Sequence, residues 1–347
     1  MKSILRKIAS IARFAIAFAI IAFLLYKLDM KLTGKILYES LGRWYWLVLS
    51  FFLYFICFLL GAGRWHTSLS VLDIRPTPKR SLTIYMIGHF FNAFMIGITG
   101  GDLARIYYTV KETRKPKTET IITIVMDRIT GIVTLLLIAA VMLIVKRNFY
   151  YRADETRLGY WITAILILTV LCLTLAFICL RKTRPALALW LTIGKNYPKF
   201  YLFVQRILHA FNIYKQSPRE FSAMLVLSTL AHLFMIAQCY TIGLGLGATH
   251  LSFLDYLAVV PMVIIASSLP VTPGGLGVRE LVAIKLLSSV GVPESQYLPL
   301  PLLIYLNTLI ISLIGGTVFM FSSGSKSAID LKNEITAQSD LPGSSGF

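Results

Sequence analysis

Apolar residues run through this chain in long blocks, with short polar or basic interruptions and little of the alternation that marks a half-buried strand. Blocks of membrane-spanning length lie at about residues 9–27, 44–62, 121–145, 160–180, 221–243 and 299–321. About 20 such residues cover the ~30 Å hydrocarbon core of a bilayer. Two further apolar segments, 82–99 and 254–270, run directly into Gly-Gly turns and are followed by shorter stretches at 103–110 and 276–290. The pattern predicts an all-α polytopic membrane protein with about six full transmembrane spans plus two re-entrant or broken helical segments.

The basic residues between the blocks set an expected topology. Lys2, Arg6, Lys7 and Arg13 place the N-terminus in the cytoplasm, ahead of an uncleaved first span. Arg64, Arg75, Lys79 and Arg80 form a second basic group over residues 64–80, and Arg105, Lys111, Arg114, Lys115 and Lys117 a third. A re-entrant 82–99 segment keeps both on the same side; a full crossing separates them. The stretch 181–219 has eight basic residues and no acidic one, which again suits the cytoplasmic face. Loops 27–43 and 146–157 are basic as well and run against this count. Within 181–219, apolar positions recur at helical spacing over about 198–216, as in an amphipathic helix lying on the membrane surface or packing on a partner. Residues 1–322 are read as one transmembrane domain and 323–347 as a disordered polar tail.

The two Gly-Gly turns share a pattern. Gly100-Gly101 is followed by Arg105, and Gly274-Gly275 by Arg279. Irregular backbone at membrane depth survives only where protein or water satisfies it, and transporters use such breaks to line a substrate site. Pro273 ends one half-helix, and Gly274, Gly275 and Gly277 permit close backbone approach before the half-helix carrying Arg279 and Glu280. In the first copy Asp102 is a candidate N-cap for the helix carrying Arg105. If the elements enter from opposite faces they form an inverted repeat. The rival reading is a pair of tight interfacial turns whose arginines snorkel to headgroups.

Charge inside the apolar blocks adds candidate chemistry. Asp127 and Arg128 lie within 121–145, and each uncompensated charge at mid-membrane costs about 3 kcal/mol. Arg105, Arg128, Arg279 and Lys285 against Asp102, Asp127 and Glu280 leave a surplus of four minus three, +1. That surplus suits a phosphate-bearing ligand, and a fully paired structural network is the alternative. His89 and Asn92, one helical turn apart, either line the same cavity or hydrogen-bond in packing, and His232 is read the same way.

Composition agrees and excludes several classes. Of 347 residues 56% are hydrophobic and 14% charged, well below the charge of soluble domains. The net charge of +18 has no soluble domain to carry it toward nucleic acid, so anionic lipid headgroups are the expected partner. Cys57, Cys172, Cys179 and Cys239 fall in apolar spans without metal-ligand spacing, and no cofactor or metal is expected. No P-loop, nucleophile elbow or paired acidic sugar-transfer motif occurs.

The segments HFFNAFMIGITGGDLARIYY, VMDRITGIVTLL and SSLPVTPGGLGVRELVAIKLLSSVGV, in this order, resemble the membrane region of the lysylphosphatidylglycerol synthase/flippase family. The resemblance extends over about residues 5–322 and implies a lipid flippase with re-entrant helices. It carries over to Asn92, Gly100, Gly101, Asp102 and Arg105, then to Arg128, then to Pro273, Gly274, Gly275, Gly277 and Glu280. Asp127 stands where that family's pattern has glutamate. Bifunctional members carry a soluble aminoacyl-transferase domain after this region; only a short polar tail follows Phe321, so lipid aminoacylation is not expected.

The expected function is transport of an anionic or aminoacylated phospholipid, or a related phosphate-bearing lipid, between leaflets of a bacterial or archaeal plasma membrane. Arg105, Arg128 and Arg279 would hold the phosphate, and Asp127 and Glu280 would orient them. The alternatives are an enzyme or accessory protein acting on polyprenyl-phosphate-linked sugars, and a non-transporting scaffold. Oligomeric state is left open.

Overall fold

The computed structural model describes residues 30–94, 100–113, 116–146, 212–268, 282–283, 286–287 and 299–322. Among them there is no strand. In chain order the helices are α1 (Met30–Leu41), α2 (Trp44–Val71), α3 (Pro78–Phe94), α4 (Gly100–Thr113), α5 (Lys117–Val145), α6 (Pro218–Gly245), α7 (Phe253–Ser268) and α8 (Pro299–Ser322). α2, α5, α6 and α8 are long and apolar enough to cross a membrane. At 1.5 Å per residue α2, α5 and α6 reach about 42–44 Å, beyond the hydrocarbon thickness. Their outer faces carry exposed Phe52, Leu137, Val141, Val226 and Leu313, where a soluble protein would place polar side chains.

Local signals explain where helices start and stop. α2 ends before Asp73, which adopts φ 55°. Pro76 and Pro78 follow, and the Thr77 hydroxyl accepts the Arg80 N–H at 3.3 Å, capping α3 at the position before its first-turn proline. α6 likewise begins on Pro218. α7 opens with half of a capping box: Asp255 Oδ2 accepts the Ser252 N–H at 2.8 Å, and also its hydroxyl at 2.7 Å.

Contacts along the helices set their directions. Gly245 of α6 lies against Leu47 of α2, and Leu227 lies opposite Gly63, so these two helices are antiparallel. α5 is antiparallel to α2 as well, through Thr123–Ser68 and Asp127–Arg64. α3 meets α2 through Ser81–His66 and His89–Tyr54, and α4 meets α3 through Glu112–Arg80 and Gly101–Gly88. Hence α3, α5 and α6 run one way, and α2 and α4 the other. One end of the bundle therefore gathers Arg75, Lys79, Arg80, Lys111, Lys117 and Arg219. At the opposite end, Lys146 at the close of α5 pairs with Asp255 of α7 at 2.9 Å.

α3 and α4 form a tight helical hairpin. A Cβ on Gly101 would collide with the Gly88 carbonyl and with the Asn92 side chain, so only glycine permits this approach. The buried apolar residues divide into two clusters. One joins the second halves of α5 and α6 to α7, through Leu136, Ala139, Ile236, Ile242, Val259 and Leu286. The other surrounds α3 and α4, through Trp65, Leu69, Ile84, Ile87, Tyr108 and Met126.

Four expectations are corrected. α1 is helical within the stretch 27–43 taken as a loop. α2 continues to Val71, so Arg64 belongs to a helix and is not part of a cytoplasmic loop; the run of small and polar residues after Leu60 ends the apolar block without ending the helix. Arg105, counted with a basic loop cluster, is buried in α4. α4 already begins at Gly100, so Asp102 lies in its first turn and is not its cap. The expected spans 9–27 and 160–180 lie outside the described residues, as do the tail and nearly all of 276–290; of the surface helix, residues 212–216 are described and helical.

Candidate functional site: an arginine–aspartate cluster at the start of α4

α4 starts beside Gly88, about 15 Å along α3 from the basic end of the bundle. Its first turn thus opens partway through the bundle's height. The Gly101 N–H, one of the amides a helix start leaves without an intrahelical partner, is accepted by Asn92 Oδ1 at 2.9 Å. Asn92 is exposed, one turn beyond Gly88 on α3.

Asp127 of α5 is the junction of the cluster. Its Oδ1 accepts Arg64 Nε at 2.7 Å, and its Oδ2 accepts Arg105 Nη2 at 3.2 Å. Arg64 also donates through Nη1 to Ser228 Oγ of α6 at 2.8 Å. Ser228 in turn shares a hydrogen bond with Thr134 Oγ1 at 2.7 Å. A single carboxylate therefore ties α2, α4 and α5 together, and Arg64 extends the tie to α6. Sharing the carboxylate gives each guanidinium a partner, which matters because an unpartnered charge in a low-dielectric site is strongly unfavourable.

Arg105 is further held by aromatic faces: its Cζ lies 4.3 Å from the centre of the Trp65 ring and 4.9 Å from that of Tyr85. Its Nε is buried without a hydrogen-bond partner. The Arg105 guanidinium is thus fixed in place with its Nε–H unused.

The outer half of the cluster is more open. Asp102 Oδ2 accepts Nε of Arg128 at 3.1 Å and also Nη2 of the same guanidinium. Asp102 Oδ1 stands 3.5 Å from Arg105 Nη1, an ion pair longer than a hydrogen bond. Side-chain exposure grades outward: 5% for Asp127, 8% for Arg105, 13% for Asp102 and 45% for Arg128. Asp127 and Arg128, adjacent in sequence, point to different partners, as consecutive helical residues must.

The structure brings together Asn92, Gly100, Gly101, Asp102, Arg105, Asp127 and Arg128. Gly274, Gly275, Gly277, Arg279 and Glu280 lie outside the described residues, as does Lys285. His89 shares a 3.2 Å hydrogen bond with the Tyr54 hydroxyl and packs on Phe58. His232 Nε2 donates to the Gly131 carbonyl at 2.9 Å. Both histidines take the packing alternative in these contacts. Cys57 and Cys239 are free thiols.

Arg64 and Ser228 belong to the cluster although the sequence reading passed them over. A signal for Arg64 exists: Ser50, Tyr54, Cys57, Gly61, Arg64 and Ser68 recur every three or four residues along α2. That spacing is one helical face. Ser228 has no comparable mark.

Long apolar helices with lipid-compatible outer faces and charge sealed inside the bundle define an integral membrane protein. Residues 10–316 match the family described as the lysylphosphatidylglycerol synthase TM region, and the chain belongs to that family. It is similar to a UPF0104 membrane protein of Pyrococcus horikoshii, 24% identical over 296 residues, covering 81% of this chain and 87% of the relative. A UPF0104 membrane protein of Methanocaldococcus jannaschii is 23% identical over 284 residues, covering 79% of this chain and 84% of the relative. No solved structure matches the chain.

Proposed function

We propose that the chain moves a phosphate-bearing lipid, anionic or aminoacylated, between membrane leaflets, and that it is a transporter and not an enzyme. The observation that carries this reading is the gathering, among the described residues, of three arginines, Arg64, Arg105 and Arg128, on Asp102 and Asp127 beside the start of α4. Arginine at membrane depth is costly, and a phosphodiester is an anion that guanidinium groups bind in bidentate geometry. The start of α4 adds helix-terminal N–H groups at the same place.

In this reading the α3–α4 hairpin is re-entrant, entering from the basic, cytoplasmic end and returning to it, with the N-terminus also cytoplasmic. The Gly274-Gly275 element would be its inverted counterpart, with Arg279 and Glu280 completing the site from the other face. Rocking of one repeat against the other would expose the site alternately to each leaflet of the plasma membrane.

Proteoliposomes carrying the purified protein test this. Labelled phosphatidylglycerol is expected to exchange between leaflets faster than in protein-free vesicles, and faster than labelled phosphatidylcholine. Equal, background-level exchange of both lipids would reject the proposal.

A further inference from the structure

We propose that Asp102 is a built-in competitor for the headgroup anion: its carboxylate occupies, on Arg128, the position that the substrate's phosphate takes during transport. This inference rests on the transport reading above and assigns a residue that sets the affinity of that site. Asp102 was expected to cap α4 or to bind substrate; it lies in the first turn of α4 and pairs with Arg128.

The two aspartates of the cluster are held differently. Asp127 is 5% exposed and joins Arg64, 13% exposed, to buried Arg105, so its removal strands two guanidinium groups. Asp102 meets the one well-exposed arginine, offering a single oxygen to both Nε and Nη2 of Arg128. Its other oxygen is 3.5 Å from Arg105, which Asp127, Trp65 and Tyr85 hold without it. Asp102 is therefore the carboxylate whose displacement leaves the buried frame intact.

Its location is also where an anion belongs. Asp102 sits in the first turn of α4, on the positive end of the helix dipole. Beside it, exposed Asn92 holds the Gly101 N–H. The buried Arg105 Nε has no partner in this state, and Nη1 of the same guanidinium stands 3.5 Å from the Asp102 carboxylate. A phosphate displacing Asp102 would face Arg128 and Arg105 together, and the carboxylate would return when the headgroup leaves. Such a competitor keeps the arginines solvated by protein between cycles and makes release of the lipid easier than a bare arginine pair would allow.

Binding to the full-length protein in detergent tests the proposal, with dioctanoyl phosphatidylglycerol as one probe and inorganic phosphate as the other. If the carboxylate holds the site closed about nine-tenths of the time, Asp102→Asn tightens phosphatidylglycerol binding about tenfold. Adding Arg128→Gln to that variant abolishes the gain. An equal gain for inorganic phosphate assigns the site to the phosphate group alone, and a gain confined to the lipid assigns it to the whole headgroup; both support the competitor role. If the wild type binds phosphatidylglycerol and Asp102→Asn binds it no better, or does not fold, Asp102 is a ligand or a structural partner and this inference fails alone. If neither protein binds either probe, the anion site fails and the transport reading falls with it.

Discussion

The two ends of the bundle are built from different materials. Around the second halves of α5 and α6 and around α7, buried positions are held by Leu136, Ile236, Ile242, Val259 and their neighbours, and the Lys146–Asp255 pair stands near the helix ends. Around α3 and α4 the helices also pack on apolar residues, but Arg64, Asp127 and Arg105 run through the middle of them. Apolar packing would have served stability equally well there, since replacing a buried ion network with matched hydrophobic residues is often neutral or favourable. The charged half therefore carries a requirement that the apolar half does not.

The largest expected effect breaks the frame. Asp127→Ala leaves Arg64 and Arg105 buried without their shared carboxylate and should cost about 3–5 kcal/mol. Thermal unfolding in detergent would show the drop. Gly101→Val comes next: its Cβ would drive into the Gly88 carbonyl and force α3 from α4, at about 1–3 kcal/mol. Cysteines placed at the facing ends of the hairpin should then cross-link more slowly than in the parent. Ser228→Ala removes one partner of Arg64 and sharpens the contrast between keystone and accessory, at about 1 kcal/mol in the same melting assay. The smallest effect belongs to the apolar half: Lys146→Ala removes a partly exposed pair near the helix ends and should cost about 0.5 kcal/mol, with less difference at high salt.

Much of the architecture was legible because apolar block length is a direct consequence of bilayer thickness. The described helices α5, α6 and α8 fall within a few residues of the blocks at 121–145, 221–243 and 299–321. The break at Gly100-Gly101 was legible for a similar reason, since paired glycine in an apolar run has few other uses. Arg64 was misplaced because a cation after an apolar block looks like the start of a loop. The helix instead continues for seven residues beyond it, supported by a carboxylate 63 positions away. Partnerships of that range leave no local trace. The same applies to Ser228, 164 residues from Arg64. The early start of α4 follows from Asn92 meeting the Gly101 N–H, a contact across the hairpin that turn chemistry alone does not disclose.

The central claim is that the charged half does chemistry the apolar half does not. It is tested most directly by leaflet exchange of labelled phosphatidylglycerol in proteoliposomes containing Arg128→Gln or Lys146→Ala, each matched for folded protein. The account predicts that Arg128→Gln loses most of the exchange while Lys146→Ala keeps the parental rate. Equal rates in the two variants, whether both retained or both lost, would contradict it.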